Sequence, residues 1–169
     1  MADVFEGLWR SAAGESAFPP YAALRIPRSV YGANAVVLEV VGSGEDFVYR
    51  FVGDVVARHS TLDMTGVAMS ALPGRGPGSL VFANALRVYE SGRLSRQSIT
   101  FIGVGSPGIE TRQILAPCGP TGGPPSHLVG VIDYMRRRTP PHRLATWRAG
   151  EPAIRTQIME LRPPERRPH

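Results

Sequence analysis

The sequence predicts an α+β domain built on a five-stranded antiparallel sheet, and three observations predict it. Two β-branched and aromatic runs, "AVVLEVV" (35–41) and "FVYRFV" (47–52), flank the turn "GSGED" and read as a hairpin. "SLVFANALRVYESG" (79–92) carries helical periodicity, with Ser79 placed to cap its start and Gly92 to stop it. "SRQSITFIGV" (95–104), "IETRQILAP" (109–117) and "HLVGVIDYM" (127–135) then read as strands, joined by "GSPG" and "CGPTGGPPS", whose Gly/Pro chemistry suits antiparallel turns.

The elements follow in chain order. Residues 3–10 predict one or two helical turns with Val4, Phe5, Leu8 and Trp9 on one side, broken by "SAAGESAFPPY". "YAALRIPRSVYGAN" reads as a short helical or irregular piece interrupted at Pro27. In "FVYRFV" the period of two puts Phe47, Tyr49 and Phe51 on one face, the core face, because Arg50 on the other resists burial. Short helical pieces are expected from Gly53 to Leu72, with Asp54 as cap of the first, and "PGRGPG" (73–78) is a plain loop. On the long helix Phe82, Leu86 and Tyr89 fall at i, i+4, i+7 beside Val81, Ala85 and Val88. Beyond Met135 the pattern dissolves into an Arg/Pro-rich tail in which "AIRTQIMEL" (153–161) has the spacing of a short helix.

Composition excludes several chemistries. All 19 basic residues are Arg, so no phosphate-loop, Schiff-base or kinase lysine exists. The charge sits at one end: residues 136–169 hold nine Arg against three Glu, while the other 135 residues are nearly neutral. That tail is expected to be a partly disordered, solvated extension, and nucleic-acid or acidic-partner binding through it is the lesser alternative. One cysteine, Cys118, suits a reducing compartment. No secretory signal and no 18-residue apolar run occur, which predicts a cytoplasmic protein with no membrane role.

Local strings add a resemblance. "FVYRFVGDVV" followed by "LDMTG", then "VYESGRL" and "ETRQILAPCGPTGGPPSHLVGVIDY", resembles the pattern of a stand-alone PAS-like family common in alphaproteobacteria. The match covers about residues 18–135, leaving 1–17 as an N-terminal helical flank and 136–169 as the tail. It places Arg50, Gly53, Asp63, Thr65 and Gly66 at the family's signature positions, with Met64 in place of the usual Leu. The resemblance implies a sheet that cups a small pocket under helices on one face, in a sensory or protein-interaction module. A homodimer, a signalling partner and a ligand of unknown identity go with that expectation.

The candidate pocket lining is Phe47, Tyr49, Phe51, Phe82, Leu86 and Tyr89. Arg50 and Asp63 are expected to fix the scaffold, the first by bridging a carboxylate or carbonyls, the second by capping. No catalytic residue is expected. Haem is disfavoured because the long helix holds no histidine, and covalent flavin because Cys118 lies in a strand turn. The histidines at 59, 127, 142 and 169 are too scattered for a metal site, and no Gly-x-Ser-x-Gly elbow supports a hydrolase. The alternative, an isomerase-like enzyme on a cone-shaped α+β fold, requires a carboxylate in an apolar cavity.

Overall fold

The computed structural model describes residues 1–60, 63–101, 109–136 and 154–157. The glycine-rich loop at 103–108 and the tail on either side of 154–157 lie outside the described residues. Helix α1 (Ala2–Ala13) leads into a run of single 3₁₀ turns, then strands β1 (Ala35–Val41) and β2 (Asp46–Val52). Helix α2 (Asp54–His59), a 3₁₀ turn at Met69–Ala71 and helix α3 (Leu80–Ser91) follow. Strands β3 (Ser95–Phe101), β4 (Ile109–Cys118), β5 (His127–Arg136) and a short β6 (Ile154–Gln157) complete the chain. The strands lie in the order β2-β1-β5-β4-β3-β6, every neighbouring pair antiparallel. The α+β class and the five antiparallel strands β1–β5 are therefore as the sequence predicts, and β6 adds a sixth strand at the β3 edge.

Helices cover both faces of that sheet, not one. Ala35 and Val37 of β1, Val129 and Val131 of β5, and Ile114, Ala116 and Cys118 of β4 share a buried cluster with Phe5 and Trp9 of α1. Val36, Leu38 and Leu128, on the opposite face by alternation, pack with Val56 of α2 and Phe82, Ala85 and Val88 of α3. The reason lies in β1 and β5 themselves. Their apolar residues run consecutively instead of alternating, so either face left bare would expose valines.

Helix α1 is longer than its sequence signal, and its buried side is Ala2, Phe5, Glu6 and Trp9. Val4 and Leu8, expected on the buried side, point outward at 55% and 47% exposure. Directional bonds choose this rotation. The Trp9 indole N–H donates to the Pro117 carbonyl at 2.8 Å, and the Ala2 amide donates to the Asp133 carboxylate at 3.0 Å. Glu6 pairs with Arg10 and with Arg96 of β3, and Arg96 also reaches Asp3.

Two further expectations are corrected. The register of β2 on β1 shifts between Val37, opposite Phe51, and Leu38, opposite Tyr49, so Arg50 is an extra residue in a β-bulge. Past the bulge the alternation inverts. Phe47 and Tyr49 face the α3 side, whereas Phe51 joins the α1 cluster. Residues 154–157, expected within a short helix, form a strand paired to β3 from Phe101↔Ile154 to Ser98↔Gln157. An open sheet edge offers a row of unpaired backbone groups, which outweighs the weak helical preference of so short a segment.

The segment after β2 is held by close backbone approach. A Cβ on Gly53 would stand 2.1 Å from the Gly32 carbonyl oxygen and 2.4 Å from that of Ala33, and the Gly53 amide donates to Ala35 at 2.8 Å. Gly53→Ala should therefore lower stability by an amount at the upper end of the roughly 1–3 kcal/mol typical of overpacking. In the same urea titrations Gly7→Ala, at a helical position with open space around it, should raise stability by about 0.5–1 kcal/mol.

Burial alone would raise the Glu6 carboxyl, but the hydrogen bonds from Arg10 and Arg96 outweigh it and hold its pKa below the ordinary carboxylate value. A depressed folded-state pKa stabilises the fold at neutral pH, and that stability drains away as pH falls through the lowered value. Unfolding midpoints between about pH 6 and pH 3 should show a shallower acid loss in Glu6→Gln than in the parent protein.

Candidate functional site

Five of the six side chains expected to line a pocket do come together on the α3 side of the sheet. Phe47 and Phe82 meet edge to face, centroids 5.4 Å apart and planes at 71°, and both are buried. Leu86 and Tyr89 are half-buried on α3 and lie over the β1–β2 turn, where a Cβ on Gly44 would stand 2.7 Å from the Tyr89 ring. Tyr49 is 4% exposed. Phe51 is the exception, carried to the other face by the bulge. The Phe47–Phe82 pair packs as core; the polar chemistry of this face gathers around Tyr49.

The signature residues hold the wall of that face. Arg50 Nε pairs with the Glu39 carboxylate on the exposed side of the hairpin. The Asp63 carboxylate accepts the Thr65 amide at 3.2 Å, turning the chain so that Gly66 can adopt φ +82°. The Gly66 amide then donates to the Tyr49 carbonyl at 2.7 Å, and the Tyr49 amide to the Val67 carbonyl at 3.1 Å. Val48 and Ala68 form a further bridge, so this turn covers the outer edge of β2 and fixes the Tyr49 backbone from both sides.

Above Tyr49 lies the loop from Leu72 to Ser79. Its outer surface forms an open hollow, while Arg75 turns inward and its Nη1 donates to the Tyr49 hydroxyl at 3.3 Å. The Arg75 charge also reaches Tyr134 on β5. Burial pushes the Tyr134 phenol up, the nearby guanidinium opposes that only in part, and the hydroxyl keeps its proton. The His59 ring, at the C-terminal end of α2, stacks on Tyr134 at 4.0 Å and 16°. Beside them Thr111, fully buried and opposite Tyr134 in the β4–β5 register, accepts from Gln113 at 3.1 Å.

Arg75, Tyr134 and His59 were not singled out together by the sequence. Arg75 sits in a glycine- and proline-rich loop without periodicity, and His59 stands in the sequence only as one of four scattered histidines. The only advance signal was the cost of burying an aromatic hydroxyl such as Tyr49 without a partner.

A second polar group on the α1 side is structural. Tyr21 stacks on His127 at 4.5 Å and 12°, and His127 Nδ1 lies 3.0 Å from the Ser126 hydroxyl. Burial lowers the His127 pKa; the Glu39 charge works against that shift and the Arg50 charge with it. Cys118, opposite His127 in the register, is fully buried, and burial pushes its thiol up to about 12. Such a thiol is no nucleophile at neutral pH. Glu39 and Asp133, both on this side, are held by Arg50 and by the start of α1.

Among the described residues no group of three or more His, Cys, Asp or Glu could hold a metal ion, and no helix is long and apolar enough to cross a membrane. Compared with known proteins, the chain matches no family model and no curated sequence.

The buried thiol makes a direct check of this packing. At pH 8 on the order of one Cys118 in ten thousand is ionised, so a disulfide reagent should label native protein far more slowly than protein unfolded in urea. Labelling at equal rates would show that β4, Tyr21 and Trp9 do not enclose it.

Proposed function

We propose that this chain is a PAS-like sensory or regulatory module of the cytoplasm, without a catalytic step of its own, that signals by binding a small ligand or a protein partner. The observation that carries the reading is the character of the α3 side of the sheet. Hydroxyl and guanidinium groups are set into an apolar layer there, and Arg75 forms no ion pair among the described residues. Such a site recognises and does not turn over. Support comes also from the succession of two strands, a helical middle, one long helix and three strands on a single antiparallel sheet. The "FVYRFVGDVV…LDMTG" strings, whose turn supports the back of Tyr49, agree with it.

In this reading two copies pair through the outward stripe of α1. Val4 and Leu8 lie one turn apart and exposed, whereas Trp9 is committed to the protein's own core. Deleting the helix would remove Phe5 and Trp9 from that core, so the cleaner test keeps them. A native mass spectrum and an absorbance spectrum of freshly purified protein should show a two-copy species carrying a bound small molecule. Val4→Glu with Leu8→Glu should convert it to single copies with an unchanged circular dichroism spectrum. A parent protein that is a single, empty copy would count against the proposal.

A further inference from the structure

Tyr49, Tyr134 and Arg75 on the α3 side share one property: each can donate hydrogen bonds for which the described residues supply no acceptor beyond the Arg75–Tyr49 contact. The Tyr49 hydroxyl accepts from Arg75, yet its own proton meets no acceptor among the described residues although the residue is 4% exposed. The Tyr134 hydroxyl has no hydrogen-bond partner among the described residues either. Arg75 has five N–H donors in a planar fork, spends one on Tyr49, and pairs with no carboxylate among the described residues. A buried donor left unmet costs about 1–3 kcal/mol. Only Tyr49 is buried to that degree; Arg75 and Tyr134 are half-buried donors on the same side of the sheet, and the three together outline a place for a group that accepts.

We infer that Arg75, with the hydroxyls of Tyr49 and Tyr134, binds the carboxylate of a small organic monoanion whose apolar body lies against the α3 side of the sheet. The charge fits one carboxylate. A single guanidinium stands here with two neutral phenols, and the nearest histidine is stacked against Tyr134. A phosphate dianion would need further cations or a run of backbone amides, and Arg75 is the one cationic side chain of the loop 72–79. Val52, Ile132 and Leu115, half-buried on the same side, supply an apolar surface beside the donors. The His59–Tyr134 stack forms a flat aromatic wall.

This inference rests on the sensory-module reading and names its ligand class. Calorimetric titration of the full chain with benzoate and with hexanoate tests it, using benzamide and inorganic phosphate as comparisons. At least one acid should bind, benzamide and phosphate at least tenfold more weakly. Arg75→Gln should weaken the acid at least tenfold. Tyr134→Phe, which keeps the ring and the stack, should weaken it several-fold with no change in melting temperature. Binding of neither acid, or equal binding by the parent and Arg75→Gln, would overturn the assignment, as would phosphate binding as tightly as the acids. If the acids fail while freshly purified protein carries an uncharged molecule, the ligand class falls and the module reading stands.

Discussion

The structure depends on one constraint: β1 has no bare side. Ala35, Val36, Val37 and Leu38 are all buried, with β2 and β5 bonded along both edges and an apolar layer over each face. A strand of this kind can exist only at the centre of a sheet that is covered twice. Helix α1 supplies one cover; α2, the turn at Met64–Gly66 and α3 supply the other. Gly130 records how tightly β1 and β5 then meet, since a Cβ there would stand 2.7 Å from a Val36 methyl. The fold is therefore an open sheet between two helical layers, and the polar groups of interest lie at the edge of only one of them.

That double cover could be read from the chain, in a signal different from the one that defined the strands. "FVYRFV" alternates and announces one buried face; "AVVL" and "HLVGVI" do not alternate and announce two. A one-sided sheet follows if the alternating strand is taken to represent the whole. The Val4 and Leu8 assignment fails for a related reason. An apolar spacing says that a helix has a face, but long-range bonds, from Trp9 to Pro117 and from Glu6 to Arg96, decide which face turns inward. No local pattern contains a partner ninety residues away.

The bulge at Arg50 shows the same limit at the scale of a single residue. Strand alternation predicts side-chain direction only while the register is unbroken, and one extra residue inverts everything beyond it. Phe51 crosses to the α1 side for that reason, and Val52 takes its place under α2. The inversion serves the hairpin. It leaves Arg50 outside beside Glu39 and lets Gly53 close against Gly32 and Ala33. Thus Arg50, Gly53, Asp63, Thr65 and Gly66, legible as a local string, form one mechanical unit that ends at the Tyr49 backbone. The residues that meet the Tyr49 side chain were not legible. A loop arginine and a histidine at a helix end carry no period, and their meaning comes only from the fold that brings them together.

The aromatic interior and the donor cluster divide the α3 side between them. Phe47 against Phe82 fills space, so that part of the layer stabilises the domain and has no room for a guest. Toward Tyr134 the packing gives way to hydroxyls and a guanidinium, groups that a protein seldom gathers without an acceptor. Among the described residues Arg75 forms no ion pair, whereas Glu6 and Asp3 pair with Arg96 and Glu39 pairs with Arg50. In the inferred acid site, the loop guanidinium of Arg75, held against Tyr49 of a rigid sheet, would act as a specificity device. It would reject a neutral molecule of the same shape, because that molecule could not satisfy the donors.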